Sequence, residues 1–185
     1  DQLRRAGVKV EVLATAPTLA NLNLRIDTLA SLLGDKAAGD RLKAEIQAQT
    51  DQLAAQAKQN KPLKVAFLLL HKGQPTSVAG GNTTASALIT LAGGVNPVAR
   101  LHDYKPVSTE SLIELQPDLV LVSGRDWQQY QDPASVLGQV PALEATPAGK
   151  RGAIHAIDGH ALQGGLSLRS LQQANQIAQW IKQGS

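Results

Sequence analysis

Val65-Ala66-Phe67-Leu68-Leu69-Leu70-His71-Lys72-Gly73 is an unbroken apolar run that ends on a histidine, a lysine and a glycine. A strand open to water on one face alternates polar and apolar residues. A continuous run between charged and turn-forming neighbours instead describes a parallel strand buried on both faces. Asp118-Leu119-Val120-Leu121-Val122-Ser123-Gly124 repeats the pattern as a second buried strand, and Ala153 to Ile157 supplies a third. Between the first two, Ala79-Gly80-Gly81-Asn82 leads into Thr83 to Gly94, a small-residue helix capped by Asn82 or Thr83 and closed by glycines. Ser108 caps a short helix to Gln116, and Pro117 ends it. A loop with short helices precedes the third strand, and Ser167 to Lys182 closes the chain as an amphipathic helix. This alternation of strand and helix from 63 to 185 predicts an α/β domain with a mainly parallel sheet.

Upstream the pattern differs. Gly7 to Leu13 alternates β-branched and charged residues with period two and reads as a half-buried strand. Beyond Pro17 and the N-cap candidate Thr18, Leu19, Leu22, Ile26, Leu29 and Leu33 line one helix face, which Gly34 stops. Ala38, Leu42, Ile46, Leu53 and Ala57 mark a second helix to about Asn60, before Pro62. At about 1.5 Å per residue such a helix is roughly 36 Å long, and its thin apolar stripe suits a connector.

Composition narrows the function. The chain has 185 residues, a net charge of +3 and 43% hydrophobic residues, a balance that excludes disorder as its main description. The longest apolar run falls far short of the roughly 18–20 residues that cross a bilayer. Cysteine is absent, which removes disulfide scaffolds, thiolate metal sites and thiol nucleophiles. Methionine is absent too, so the chain is expected to be a processed or truncated piece.

In an open parallel sheet ligands sit beyond the C-terminal strand ends, so His71-Lys72 and Arg125-Asp126-Trp127 share one rim. Neutral imidazole makes His71 a candidate ligand for a metal or a haem iron, the alternative being an exposed loop histidine. Lys72 and Arg125 suit the carboxylates of an anionic ligand, Arg through its two-pronged fork, or else are simply solvated. Trp127 and Tyr130 would wall a flat apolar ligand, or merely cover a loop. Tyr104 lies in the polar loop His102-Asp103-Tyr104-Lys105-Pro106 and reads alone as a surface lid. His155 falls inside a strand and reads as a packed residue, and His160 in a glycine-flanked loop is a weaker rim candidate. The glycines before the helix at Thr83 are a candidate anion cradle, yet they match neither nucleotide-binding glycine motif. No nucleophile elbow, zinc-protease motif or paired carboxylate follows a strand. Basic residues are scattered, without the aromatic-interleaved stripe of a nucleic-acid surface.

Taken together, Val65 to Leu69, Val78 to Thr84, Leu91-Ala92-Gly93-Gly94-Val95-Asn96, Tyr104 to Glu110 and Gln116 to Leu121 resemble one family over essentially the whole chain. It is the class of periplasmic substrate-binding proteins of bacterial ABC importers that place a rigid helix between two lobes. Tyr-Lys-Pro-x-Ser-x-Glu and the Leu-Ala-Gly-Gly-x-Asn stretch look most like the haem (hemin) binders, with cobalamin and ferric-siderophore binders as relatives. The resemblance implies a non-catalytic periplasmic module that captures haem for an ABC permease. Residues 1–34 would be the remnant of an N-terminal lobe, 35–61 the interlobe helix, and 62–185 a Rossmann-like C-terminal lobe. The subgroup's main axial tyrosine belongs to the N-terminal lobe and is absent here; Tyr104 resembles its pseudo-symmetric counterpart. His71 looks like the histidine with which some two-haem relatives hold a second haem, and Arg125 and Arg169 are propionate candidates. Ser108-Thr109-Glu110 matches the motif whose glutamate docks into the permease, although a first-turn glutamate also simply favours a helix N-terminus. The alternatives are a cobalamin or siderophore carrier, and a small α/β enzyme using His71 as a base. An unpaired strand at Val8 to Leu13 would invite self-association or segment exchange through residues 1 to about 60.

Overall fold

The computed structural model describes residues 2–71, 73–123 and 127–184, with backbone only for Trp127 and Gln129. A single turn, α1 (Gln2–Arg5), comes first. The strand expected at Gly7 to Leu13 does not form: among the described residues this stretch pairs with no ladder, and Val8, Val12 and Leu13 are exposed. Alternation alone makes no strand, because its backbone groups need a neighbouring edge to bind. The nearest β contact is an isolated parallel bridge between Ala16 and Gly165.

Helix α2 (Leu19–Leu33) begins where Thr18 Oγ1 accepts the Asn21 amide at 3.2 Å and ends on left-handed Gly34. Helix α3 (Lys36–Ala57) starts with Asp35 accepting the Ala38 amide at 2.9 Å and stops about three residues before the expected end. Ile46, Thr50 and Leu53 are its inward stripe. No described helix is long and apolar enough to cross a membrane.

The sheet contains β1 (Val65–Leu69) and β2 (Ser77–Ala79), followed by α4 (Thr84–Leu91). Next come β3 (Tyr104–Pro106), α5 (Thr109–Leu115) and β4 (Leu119–Ser123). Helices α6 (Pro133–Gln139) and α7 (Pro147–Arg151), β5 (Ile154–Ala156) and α8 (Leu168–Gly184) complete the order. Short 3-10 turns lie at Trp127–Tyr130, Pro141–Ala145 and Gly159–Leu162. The strand order is β3-β2-β1-β4-β5. Strands β1, β4 and β5 are parallel, while β2 is antiparallel to both its neighbours, so only β2 runs against the rest.

The period of two in the buried runs divides their side chains between two cores. Val65, Phe67, Leu119 and Leu121 face α3, α4 and α8, where Leu53, Leu88, Ile89 and Ile177 are buried. Leu68, Val120, Val122 and Ile154 face the other side, against Leu112, Val136 and Leu143. Each such side chain contributes about 1.5–3 kcal/mol by leaving water, so the two layers on one sheet dominate the stability. Asn96 is the polar pin between them and the loops. Its Nδ2 donates to Ala79 O at 2.9 Å and to Ser86 Oγ at 3.0 Å, and its Oδ1 accepts the Val98 amide at 3.0 Å.

Strands β2 and β3 have no counterpart among the sequence expectations. Tyr104, read there as part of a loop, starts edge strand β3 and pairs with Ala79. Both strands are three residues long, too short to show a period, and Pro106 is tolerated because β3 is an edge.

Candidate functional site

β1 and β4 stay in register through Leu69 and Ser123, and the Leu70 amide donates to Ser123 O at 2.8 Å. Both strands therefore end at one level, and the half-buried His71 leaves the sheet at this C-terminal rim. Lys72 and Arg125 lie outside the described residues, as does the side chain of Trp127. Tyr130 is 4% exposed and belongs to the core with Leu68 and Val122, so its ring packs inside the lobe instead of standing open as a cleft wall.

A groove of about 280 Å³ lies on the α4 and α8 side of the sheet. One wall is the first turn of α4 with Asn82, Thr84 and Tyr104; the other is Thr15 and Pro17 against Leu162 and Gly164. Tyr104 packs edge-on against Phe67, with ring centroids 6.1 Å apart and planes at 64°. Burial pushes its phenol above the ordinary value, which keeps the hydroxyl neutral and able both to donate and to accept at neutral pH.

The glycine pair before α4 has a different task from the anion cradle expected of it. Gly80 N donates to Asp103 O at 2.9 Å and Gly81 N to Leu101 O at 2.8 Å, so both amides are already used. A Cβ on either would overlap the backbone carbonyls of Leu101 or Ala99. The glycines thus admit the 99–103 loop against the helix start. Asn82 locks it there: its Nδ2 donates to Asp103 Oδ1 at 3.0 Å, and its Oδ1 accepts the Asp103 amide at 2.5 Å. Thr83, not Asn82, is the N-cap, accepting the Ser86 amide at 3.2 Å.

The other candidates are dispersed. Arg169, in the first turn of α8, pairs with Asp158 at 3.2 Å and stays exposed. Glu110 is exposed in the first turn of α5, where Ser108 Oγ accepts the Ser111 amide at 3.1 Å. His160 is exposed on the Gly159–Leu162 turn. His155 stacks flat on Trp180, as suits a packed residue. Among the described residues no three His, Cys, Asp or Glu gather around a metal-sized point. The structure brings Tyr104 together with polar helix-start residues in a shallow groove, and leaves His71 at the rim, outside the lining of that groove. The groove itself offers hydroxyl and amide groups of Thr84, Asn82 and Tyr104 to a ligand. Sequence reasoning missed the Thr15–Pro17 wall, whose available signal was the Gly164-Gly165 pair packed beside it.

A family model described as periplasmic binding protein matches residues 1–161. The chain belongs to the periplasmic binding protein family. Such proteins are the substrate-binding components of ABC importers, work outside the cytoplasmic membrane, and bind without catalysing. The expectation of a small α/β enzyme is thereby set aside. The periplasmic haem binding protein HutB of Vibrio cholerae is 45% identical, matching 96% of this chain and 69% of its own at a TM-score of 0.89. RhuT, a periplasmic haem-binding protein from Roseiflexus sp. RS-1, is 32% identical over 99% of this chain and 70% of its own, at 0.87. The periplasmic vitamin B12 binding protein BtuF of Vibrio cholerae is 21% identical over 99% and 68%, at 0.73, and shares the fold alone. No curated protein matches.

Proposed function

We propose that this periplasmic binding protein carries haem in the periplasm and delivers it to an inner-membrane ABC permease. The observation that carries this reading is the 45% identity to a haem binding protein across 96% of the chain. The chemistry of the site supports it. A haem iron is already held by its macrocycle and needs only axial ligands, which a lone imidazole or phenol supplies without a cluster of protein ligands. His71 is our candidate for such a ligand, with Tyr104 beside the ring and Lys72, Arg125, Trp127 and Arg169 as candidates for its charged and flat faces. Tyr130 would join them only by leaving the core. A groove of about 280 Å³ falls just below the size of ligand pockets, which run roughly 300–1,000 Å³, so it would hold one edge of a macrocycle and share the rest with an opposing surface.

In this reading residues 62–185 form the C-terminal lobe, 35–61 the interlobe helix and 1–34 the end of an N-terminal lobe. Glu110 docks the permease, and the chain self-associates or exchanges segments through residues 1 to about 60, by exposed apolar side chains since the strand edge expected at Val8 to Leu13 does not form. The deciding experiment is a visible-absorption titration of the full-length protein with haemin and, separately, with cobalamin. A Soret shift with haemin, diminished in His71→Ala, is expected. Absence of any shift with haemin ends the haem assignment, and a response to cobalamin alone would replace it with the corrinoid carrier.

A further inference from the structure

Residues 8–15, between α1 and α2, lie in no helix or strand, yet their end is fastened. Arg25, the seventh residue of α2, reaches back so that Nε and Nη2 donate to Ala14 O at 3.1 and 2.7 Å. The same Nη2 donates to Gly164 O at 2.5 Å, joining residues 139 positions apart. Beside it the Ala16 amide donates to Gly164 O at 3.2 Å and the Leu166 amide to Ala16 O at 2.6 Å, forming the parallel bridge. Ala16 is fully buried under this contact. Gly165 sits at φ +93°, and a Cβ there would overlap the backbone N, C and O of Ala16, so the approach depends on glycine.

The two strips that Arg25 joins are the two sides of one wall of the Tyr104 groove, Thr15 and Pro17 on one and Gly164 and Gly165 on the other. We propose that Arg25 is a positioning residue: its guanidinium clasps the 14–17 strip to the 164–166 loop and so sets that wall opposite Tyr104. The fork of the guanidinium is what the geometry uses, since two carbonyls from separate strips are reached by one planar group. A lysine ammonium would keep the charge and lose the fixed double reach. The hydrogen bonds of Arg25 go to loop carbonyls and to no strand of the sheet, while Ala16 and Leu166 of the clasped strips belong to the margin of the core, so unchanged exchange at β1 and β4 is the control that separates an effect on the groove from one on the fold.

The functional half of this proposal rests on the haem reading above; the clasp itself does not. Two measurements on the full-length protein separate them. Amide hydrogen exchange at Ala16 and Leu166 is expected to quicken about tenfold in Arg25→Gln, with Arg25→Lys between it and the unsubstituted protein, while amides of β1 and β4 stay unchanged. Exchange at Ala16 and Leu166 as slow in Arg25→Gln as in the unsubstituted protein overturns the clasp. Haemin dissociation is expected to quicken at least about fivefold in Arg25→Gln and to be partly restored in Arg25→Lys. Faster exchange with unchanged dissociation overturns the positioning role. Failure of the unsubstituted protein to bind haemin refutes the cargo assignment and leaves the exchange result to decide the clasp.

Discussion

His155 shows how one side chain can tie stability to pH. It stands on edge strand β5 with its ring flat against Trp180 of α8, centroids 4.1 Å and planes 4° apart. Burial lowers its pKa from the ordinary 6.5, because the charged imidazole loses water there. The unfolded chain therefore takes up this proton at higher pH than the folded one. The folded state keeps its full advantage above about 6.5 and loses it as pH falls through the lowered folded value. Thermal unfolding is expected to show a lower midpoint at about pH 5 than at about pH 8, with a smaller drop in His155→Phe, which keeps an aromatic ring in place to pack on Trp180. An identical drop in the variant would assign the effect to other groups.

At the scale of an element, α5 is a short helix whose start is set by its cap. Ser108 holds the first turn, so Glu110 projects from a backbone already in place. Reversing its charge near the positive helix end costs about 0.3–1 kcal/mol, too little to unfold two packed cores. Glu110→Arg in the full-length protein is expected to bind cargo with unchanged affinity and to support no uptake through the permease. Normal uptake by the variant would remove the docking role. The start of α4 obeys the same logic with a different result. Thr83 caps the helix, while the amides of the two glycines before it are spent on a neighbouring loop.

Over the whole molecule, the exposed apolar side chains gather near the N-terminal end. Leu3, Val8, Val12 and Leu24 are exposed, and Leu33 is 80% exposed, whereas β1 and β4 bury theirs almost completely. Concentration-dependent association of the isolated chain is the expected consequence, measured by sedimentation velocity; one monomeric boundary at every concentration would contradict it. The same contrast marks how far residue order reaches. Thr18, Gly34 and Ser108 were legible as caps because a cap is settled within one helical turn, and the runs at Val65 and Leu119 because burial on both faces writes itself into consecutive residues. The rim with His71 followed from the order of strands and helices. Gly7 to Leu13 carries a strand's alternation yet makes no strand, since a ladder needs a second edge. Tyr104 looked like a loop residue until Ala79 became its partner, and Tyr130 looked like a cleft wall until the second core closed over it. The two buried strands, the main helices and the family likeness could be read from residue order, because each depends on neighbours close along the chain. Tertiary structure alone decided the β2 and β3 edge, the use of the Gly80-Gly81 amides and the Arg25 clasp, because each is made by groups that meet only after the chain has folded back on itself.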